Sequence, residues 1–361
     1  MFIERAEALG EPPEDPLLLL SVLYCFWAAN QVAFNGDAMR ELATQFLVEA
    51  KKVGTTAPLM IAHRLLGVSL MLTGNIAQGR EKLDQAIALY DPVALRPLAT
   101  RFGQHDGVAL LSWRARTLWI LGYPDAALKD ANRALIEARE IGQVPTLIFA
   151  LLHALFTEMV CGDYAAAGAE VGELVALADQ KNLWLWKVVG VMNQGSLLVL
   201  TGKASDAVEV INSGISALRS TASTVWIPWH LSYLGTAYAQ VGRFDDAWRS
   251  ISEAVTAVET TKERWSEAEV HRVGGEIALK SSTPDVEKAA AYFEHALAVA
   301  REQQTKSWEL RAAMSMARLW RDQGKRDEAR ELLAPVYGWF TEGFDTRDLM
   351  EAKALLGELV V

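Results

Sequence analysis

Residues 231–254 read LSYLGTAYAQVGRFDDAWRSISEA, and their order decides the fold. Gly235 stands seven positions before Gly242, and Ala247 stands five after it. Apolar residues recur at helical spacing on both sides, with Leu234 and Tyr238 before the turn and Ile251 and Ala254 after it. This is the pattern of two antiparallel helices crossing closely. A bulky side chain at either small position would hold the two axes apart. A glycine between the helices ends the first of them in a left-handed cap.

The pattern repeats outward along the chain. Gly36, Gly74, Gly122, Gly162, Gly202, Gly242 and Gly324 mark turns, and those from Gly122 to Gly242 are 40 residues apart. Alanine follows five residues later at Ala127, Ala167, Ala207, Ala247 and Ala329. A small residue precedes by seven at Ala29, Gly67, Ala115, Gly195, Gly235 and Ala317. No alternating run rich in Thr, Val and Ile lies between turn signals, so no strand is expected. Such self-similarity predicts an all-α fold, a right-handed superhelical solenoid of stacked helix hairpins. Eight hairpins are expected near 16–53, 57–90, 105–142, 144–180, 183–219, 225–261, 263–303 and 305–340, with a last helix near 345–359. Together they make one repeat domain over 1–361. The step from Gly74 to Gly122 is longer, and Pro92 and Pro97 place its excess in a loop before His105. The seventh hairpin turns instead at Ser281-Ser282-Thr283-Pro284-Asp285, where Pro284 suits the first turn of a helix.

Composition agrees with a long buried seam. Of 361 residues 51% are hydrophobic, and 12 are Trp, which excludes a disordered chain. A net charge of -10 gives no overall basic field toward nucleic acid or anionic lipid. Cys25 and Cys161 lie in apolar helical contexts and read as small buried hydrophobes in a reducing compartment. The start, Met1-Phe2-Ile3-Glu4-Arg5, lacks the basic opening of a secretory signal. The apolar run from Leu17 to Ala29 is short of a roughly 20-residue membrane span. A cytoplasmic protein without a membrane partner is expected.

The small-residue grammar is similar to that of the tetratricopeptide repeat, with each helix about a turn longer. Several non-repeat segments carry a further likeness: Ala62-His63-Arg64-Leu65-Leu66-Gly67, Leu121-Gly122-Tyr123-Pro124-Asp125, Glu263-Arg264-Trp265, Lys306-Ser307-Trp308-Glu309-Leu310-Arg311 and Val336-Tyr337-Gly338-Trp339-Phe340. In that order they resemble the C-terminal repeat region of bacterial signalling proteins. Those proteins join a class III adenylate/guanylate cyclase or a DNA-binding domain to a predicted ATPase. The resemblance implies a regulatory tail, with an ATPase or cyclase domain as partner in cis or in trans. The catalytic parts are absent from this chain: there is no Gly-x-x-x-x-Gly-Lys-Ser/Thr loop for phosphates, and no strand to carry a metal-binding Asp pair. Asp245-Asp246 falls at a helix start, where carboxylates complement the helix dipole.

Candidate binding residues follow from the first helices of the hairpins, which line the concave face of such a solenoid. Trp113, Trp184, Trp226, Trp229, Trp265 and Trp308 are either gap-filling core rings or the walls of a groove. Arg116, Arg264, Glu269, Arg272 and Arg311 are either solvated ion pairs or the charged part of that groove. The loop Arg101-Phe102-Gly103-Gln104-His105-Asp106 is either a plug between hairpins or a contact for another domain. The six His residues show no metal-ligand spacing, and no Ser or Cys has a nucleophile's context, so no catalytic residue, metal or cofactor is expected. The expected function is a non-catalytic interaction module that takes a protein segment, a peptide or a small effector. Two alternatives are a helix-paired barrel enzyme acting on glycosides, with acid and base carboxylates, and a pure scaffold.

Overall fold

The computed structural model describes residues 16–91, 102–281 and 283–360. Among these residues the chain is helical throughout, without strands. Helices α1 (Pro16–Val32) and α2 (Gly36–Val53) form the first antiparallel pair, α3 (Thr56–Leu72) and α4 (Ile76–Ala88) the second. Then come α5 (Asp106–Leu121) with α6 (Pro124–Ile141), α7 (Val144–Cys161) with α8 (Tyr164–Gln180), and α9 (Trp184–Leu200) with α10 (Ala204–Arg219). The last pairs are α11 (Ile227–Gln240) with α12 (Phe244–Thr261), α13 (Glu267–Lys280) with α14 (Val286–Glu302), and α15 (Lys306–Asp322) with α16 (Arg326–Tyr337), followed by α17 (Arg347–Glu358).

Odd and even helices differ because they bury different amounts of surface. Every residue of α5 except Arg114 is buried. Helix α7 is long and apolar enough to cross a membrane by length and composition, and 78% of it is buried against its neighbours. The odd helices pack on one another as well as on their partners, α5 on α7, α11 on α13 and α13 on α15. They form the inner layer, and an all-round apolar helix is what an inner layer requires. The even helices bury one stripe only, as Ala127, Ala131, Ala134, Leu135 and Ala138 do on α6. The small residues sit where the pairs cross: a Cβ on Gly195 would stand 2.6 Å from Ile211, and one on Gly67 2.9 Å from the backbone oxygen of Gly79.

The superhelix winds until its second turn lies on its first. An α-helix leaves its last carbonyls without intrahelical donors. Here the next superhelical turn supplies them. Val32, closing α1, accepts the backbone N–H groups of Thr224 (3.0 Å) and Val225 (3.2 Å). Leu72, closing α3, accepts the N–H of Arg264 at 2.9 Å. Trp119 in α5 accepts the Ser307 hydroxyl, across 188 residues of chain. Val160 in α7 accepts a guanidinium N–H of Arg311 at 3.1 Å. Farther along, Glu342 takes the N–H of Ala126 (3.0 Å) and Asp125 that of Gly343 (3.0 Å). The first pair therefore lies under the sixth, and the seventh and eighth continue over the second and third. A closed ring of pairs, which a barrel enzyme needs, is not what forms.

The turn glycines divide along this seam. Gly74, Gly122, Gly162, Gly202, Gly242 and Gly324 all have φ between 79° and 97°, as left-handed caps do. At Gly122 and Gly162 an added Cβ would also stand 2.8 Å from the Cβ of Lys306 and 2.5 Å from that of Arg347. Nothing lies within 4 Å of such a Cβ at Gly202 or Gly242. Gly36 departs from the expected cap. Phe34 takes the positive φ there (38°), and Gly36 opens α2 with its Cα face 2.8 Å, as a Cβ would measure it, from Thr73.

Two further expectations are corrected. Cys25 is exposed among the described residues, and only Cys161 is buried. Pro284 precedes α14 rather than entering its first turn, because Asp285 is the cap and accepts the N–H of Lys288 at 3.0 Å. In the loop before α5 the described residues form a plug. Phe102 packs on Tyr24 and Phe46 with centroids 5.1 and 6.3 Å away, and Asp106 pairs with buried Arg64 at 2.5 Å. Pro92, Pro97, Arg101 and Ser282 lie outside the described residues.

The seam predicts unequal costs for one substitution. Gly202→Ala meets only the backbone strain of the left-handed region, about 1–2 kcal/mol. Gly162→Ala meets that strain and the Arg347 clash, so its loss in chemical denaturation is expected to be at least twice as large. Equal losses would mean that the two turns do not press together there.

Candidate functional site

The inner layer holds the chemistry, and the aromatic residues in it are mostly core. Trp113, Trp229, Trp265 and Trp308 are buried, so they do not wall an open groove as the sequence allowed. They join the two superhelical turns. Trp119 of the lower turn meets Trp308 of the upper turn edge-on at 4.7 Å, and Phe156 lies 5.7 Å from both Trp229 and Trp265. A narrow axis leaves no room for a groove at this level, and large rings fill it with little loss of side-chain entropy. Trp184 is the opposite case: it stands 46% exposed at the start of α9.

Arg116 is placed inside this ring cluster. It is 3% exposed. Its guanidinium carbon lies 3.8 Å from the Phe156 ring centre, 5.1 Å from Trp265, 5.8 Å from Trp113 and 6.0 Å from half-buried Trp226. Burial pushes its pKa down to about 9, with Glu263 opposing. His230 is pushed down to about 3 by burial and by Arg116, so it is neutral. Glu263 is buried too. It accepts the Trp226 backbone N–H with both oxygens at 3.0 Å and the Trp265 indole N–H at 2.9 Å. Those bonds hold Trp226 in a left-handed backbone conformation (φ 63°) at the entrance to α11. Burial raises the Glu263 pKa to about 8, against the opposing pull of these donors and of Arg116.

Beside the ring cluster the inner layer opens into a cleft of ≈ 290 Å³. Its walls come from α7, α9, α11, α13, α15 and α17, with Tyr164 at the start of α8, so both superhelical turns contribute. Arg272, Arg311, Arg318 and Arg347 face Glu269, Asp348 and Glu351 across it. Arg272 holds Glu269 by two bonds, 2.7 and 2.9 Å, and meets Glu276 at 3.2 Å. Arg311 reaches Asp348 at 2.7 Å and Glu269 at 3.5 Å. Burial works to raise the Glu269 pKa, but Arg272 and Arg311 outweigh it and hold the group below its ordinary value. Arg318 and Arg347 share Glu351, at 2.9 and 2.7 Å. Tyr233 lines the same space, and its hydroxyl has no hydrogen-bond partner among the described residues. The cleft thus offers charges of both signs, a free hydroxyl and an apolar floor of Met159, Val273 and Met314.

Of the expected site residues, the structure brings Glu269, Arg272 and Arg311 to the cleft and Trp113, Arg116, Trp226, Trp229 and Trp265 to the buried cluster, with Trp308 between them. Arg264 belongs to the seam and pairs with Glu267 (2.8 Å) and Glu302 (3.4 Å). Tyr233, Arg318, Arg347 and Asp348 were missed. Arg318 had a signal, being a charge on an inner-layer helix. Arg347 and Asp348 had none, because α17 read only as a last helix after the hairpins. The packing of α13 on α14 also gathers Glu267, His271 and His295, with ligand atoms within 4.8 Å, a grouping that chain spacing does not show. The Glu267 carboxylate there is already held by Arg264 and by Gln303 at 3.2 Å.

With this geometry in view, two segments, residues 228–248 and 310–335, match the tetratricopeptide repeat family. Among curated proteins the chain is similar to an uncharacterised protein of Rhizobium meliloti (strain 1021), 25% identical over 269 residues. That match covers 72% of this chain and spans about a quarter of the relative's length, 25%. Among solved structures it is similar to a Rap protein complexed with Competence and Sporulation Factor: TM-score 0.65, 12% identity, 99% of this chain and 92% of that one. The apo form of the quorum sensor NprR from B. thuringiensis gives TM-score 0.53 at 14% identity, covering 92% and 91%. The Rap conjugation gene regulator of plasmid pLS20, in complex with the Phr* peptide, gives 0.53 at 10% identity, covering 95% and 97%. The fold is therefore a tetratricopeptide-like helical solenoid.

Glu263 yields a pH test. Its folded pKa of about 8 lies above its ordinary value of 4.5, so the native state keeps a proton that the unfolded chain releases. Stability from this group is complete below the unfolded pKa and is lost as pH rises toward 8. Denaturation at successive pH values should show the wild type losing more stability over that window than Glu263→Gln, by on the order of 1–3 kcal/mol. Parallel profiles would show that Glu263 does not carry the proton.

Proposed function

We propose that the chain is a non-catalytic peptide-binding regulatory module whose ligand lies in the cleft around Glu269, Arg272 and Arg311. The observation that carries this reading is the cleft itself: one polar space walled by helices from both turns of the superhelix. A peptide presents alternating donors and acceptors and charged ends, and the cleft has partners for each. Arginine forks bind carboxylates and backbone carbonyls, and Glu269, Asp348 and Glu351 suit N–H groups. Two structural relatives of the same fold were solved with a partner bound, one with Competence and Sporulation Factor and one with the Phr* peptide.

The location suits regulation. A ligand held by Arg311 and Arg347 also touches the seam, since Arg311 donates to Val160 of α7 and Arg347 to Tyr164 of α8. Occupancy then biases how firmly the two superhelical turns clasp, and a clasp with two settings is what a ligand can shift. The output is an associated domain, an ATPase or a nucleotide cyclase by the resemblance of the non-repeat segments. The match to a quarter of a longer Rhizobium protein supports a module that works beside other domains. A cytoplasmic setting goes with this reading.

Selection of random peptides on the purified chain, followed by fluorescence anisotropy, tests the proposal. Selected peptides are expected to bind, and Tyr233→Phe and Arg318→Ala each to weaken them about three- to tenfold. Tyr233→Phe removes a hydroxyl that the fold does not use, so its thermal stability should match the wild type. Failure to select any peptide, or equal binding by both variants, would remove the cleft as the site.

A further inference from the structure

We propose that Glu267, His271 and His295 form a site for a late first-row divalent metal such as zinc, which fastens α13 to α14 in the seventh hairpin. The cleft and any peptide in it play no part. Glu267 and His271 stand four residues apart on α13, so one face of that helix carries both. His295 comes from α14. Two glycines let that helix approach: a Cβ on Gly274 would stand 2.7 Å from the Tyr292 ring, and one on Gly275 2.3 Å from the Phe293 ring. Tyr292 and His295 lie three residues apart on α14, so the close approach at Gly274 also brings His295 onto His271. The two imidazole centres are 4.0 Å apart.

The ligand atoms are free where a metal needs them. Among the described residues neither imidazole takes part in a hydrogen bond or an ion pair. Burial and the neighbouring His295 keep His271 neutral, the form that binds metals. The bonds to Glu267 fall on one oxygen: Arg264 at 2.8 Å and Gln303 at 3.2 Å both donate to Oε2, and Oε1 accepts none among the described residues. Hydrogen bonds of this kind orient a ligating carboxylate from behind. Arg264 is itself fixed by the seam, through its N–H on Leu72, and its charge is shared with Glu302 at 3.4 Å. One ligand atom from each of the three residues lies within 4.8 Å of the other two. A tetrahedral ion with bonds of about 2.0–2.1 Å wants its ligand atoms about 3.4 Å apart, and rotation of the exposed His295 side chain closes the difference. Two imidazoles and a carboxylate suit zinc, cobalt, nickel or copper(II), not magnesium or calcium, which prefer shells of oxygen. The fourth tetrahedral position is left to water.

Calorimetric titration of zinc chloride into the chelator-stripped chain tests the site. One ion per chain is expected, with a rise in melting temperature, and magnesium or calcium at the same concentration should give neither. Cobalt(II) should produce the visible absorption of a tetrahedral centre and lose it when zinc is added. His295→Ala and His295→Gln remove an exposed ring that makes no hydrogen bond, so both should fold like the wild type and bind zinc at least about tenfold more weakly. His63→Ala removes an imidazole outside the cluster and should bind as the wild type does. A second measurement needs no variant: paramagnetic cobalt should broaden the amide NMR signals of Gly274 and Tyr292 before those around His63. Three results would each overturn the site. They are no stoichiometric zinc binding by the wild type, equal binding by the His295 variants, and cobalt broadening centred away from Gly274 and Tyr292.

Discussion

The helix ends of the first superhelical turn need hydrogen-bond donors, and the second turn brings them. Everything else in the molecule follows from that demand. The last carbonyls of α1 and α3 are met by backbone N–H groups, and those near the ends of α5 and α7 by a hydroxyl and a guanidinium. Each such bond adds only about 0.5–1.5 kcal/mol net, but an enclosed carbonyl without one costs more. Contact between the turns excludes water from these ends, so the bonds and the close approach of glycine turns to the next turn are required together.

Once the turns touch, the space along the inner layer is fixed and must be filled. Tryptophan and phenylalanine do so, with indole donors satisfied where the packing allows: Trp265 on Glu263 and Trp308 on the Trp265 carbonyl at 3.0 Å. Charged groups enter the inner layer only where they are paired. Arg64 with Asp106 and Arg272 with Glu269 are both of this kind. Arg116 is the exception, held among the faces of Phe156 and Trp265 instead. The cleft lies just beyond the rings, where the walls separate enough for ion pairs to face solvent rather than one another alone.

Much of the fold was legible in the sequence because helix pairing is local. Gly235, Gly242 and Ala247 reveal a crossing within a dozen residues, and the same grammar recurs at Gly195, Gly202 and Ala207. The seam was not legible, because Thr224 and Ala33 lie 191 residues apart and nothing in either segment announces the other. That omission is why the sequence left the tryptophans open between core and groove. First-helix rings line a groove in an open superhelix and become core in one whose turns touch. The charged residues Glu269, Arg272 and Arg311 were found because a charge on an otherwise apolar inner helix is a local anomaly. Arg347 and Asp348 escaped because their place opposite α15 is set by the winding.

Repeat arrays ordinarily lengthen or shorten by whole repeats, since each unit needs only its neighbours. Here the pairing of Val32 with Thr224 and of Leu72 with Arg264 imposes a phase. Deleting or duplicating a single hairpin between them would set every later helix start against the wrong turn below. The molecule is thus a repeat protein whose repeat number is locked, more like a screw with one nut than a chain of interchangeable links. Variation in length is free only beyond the overlap, at its two ends.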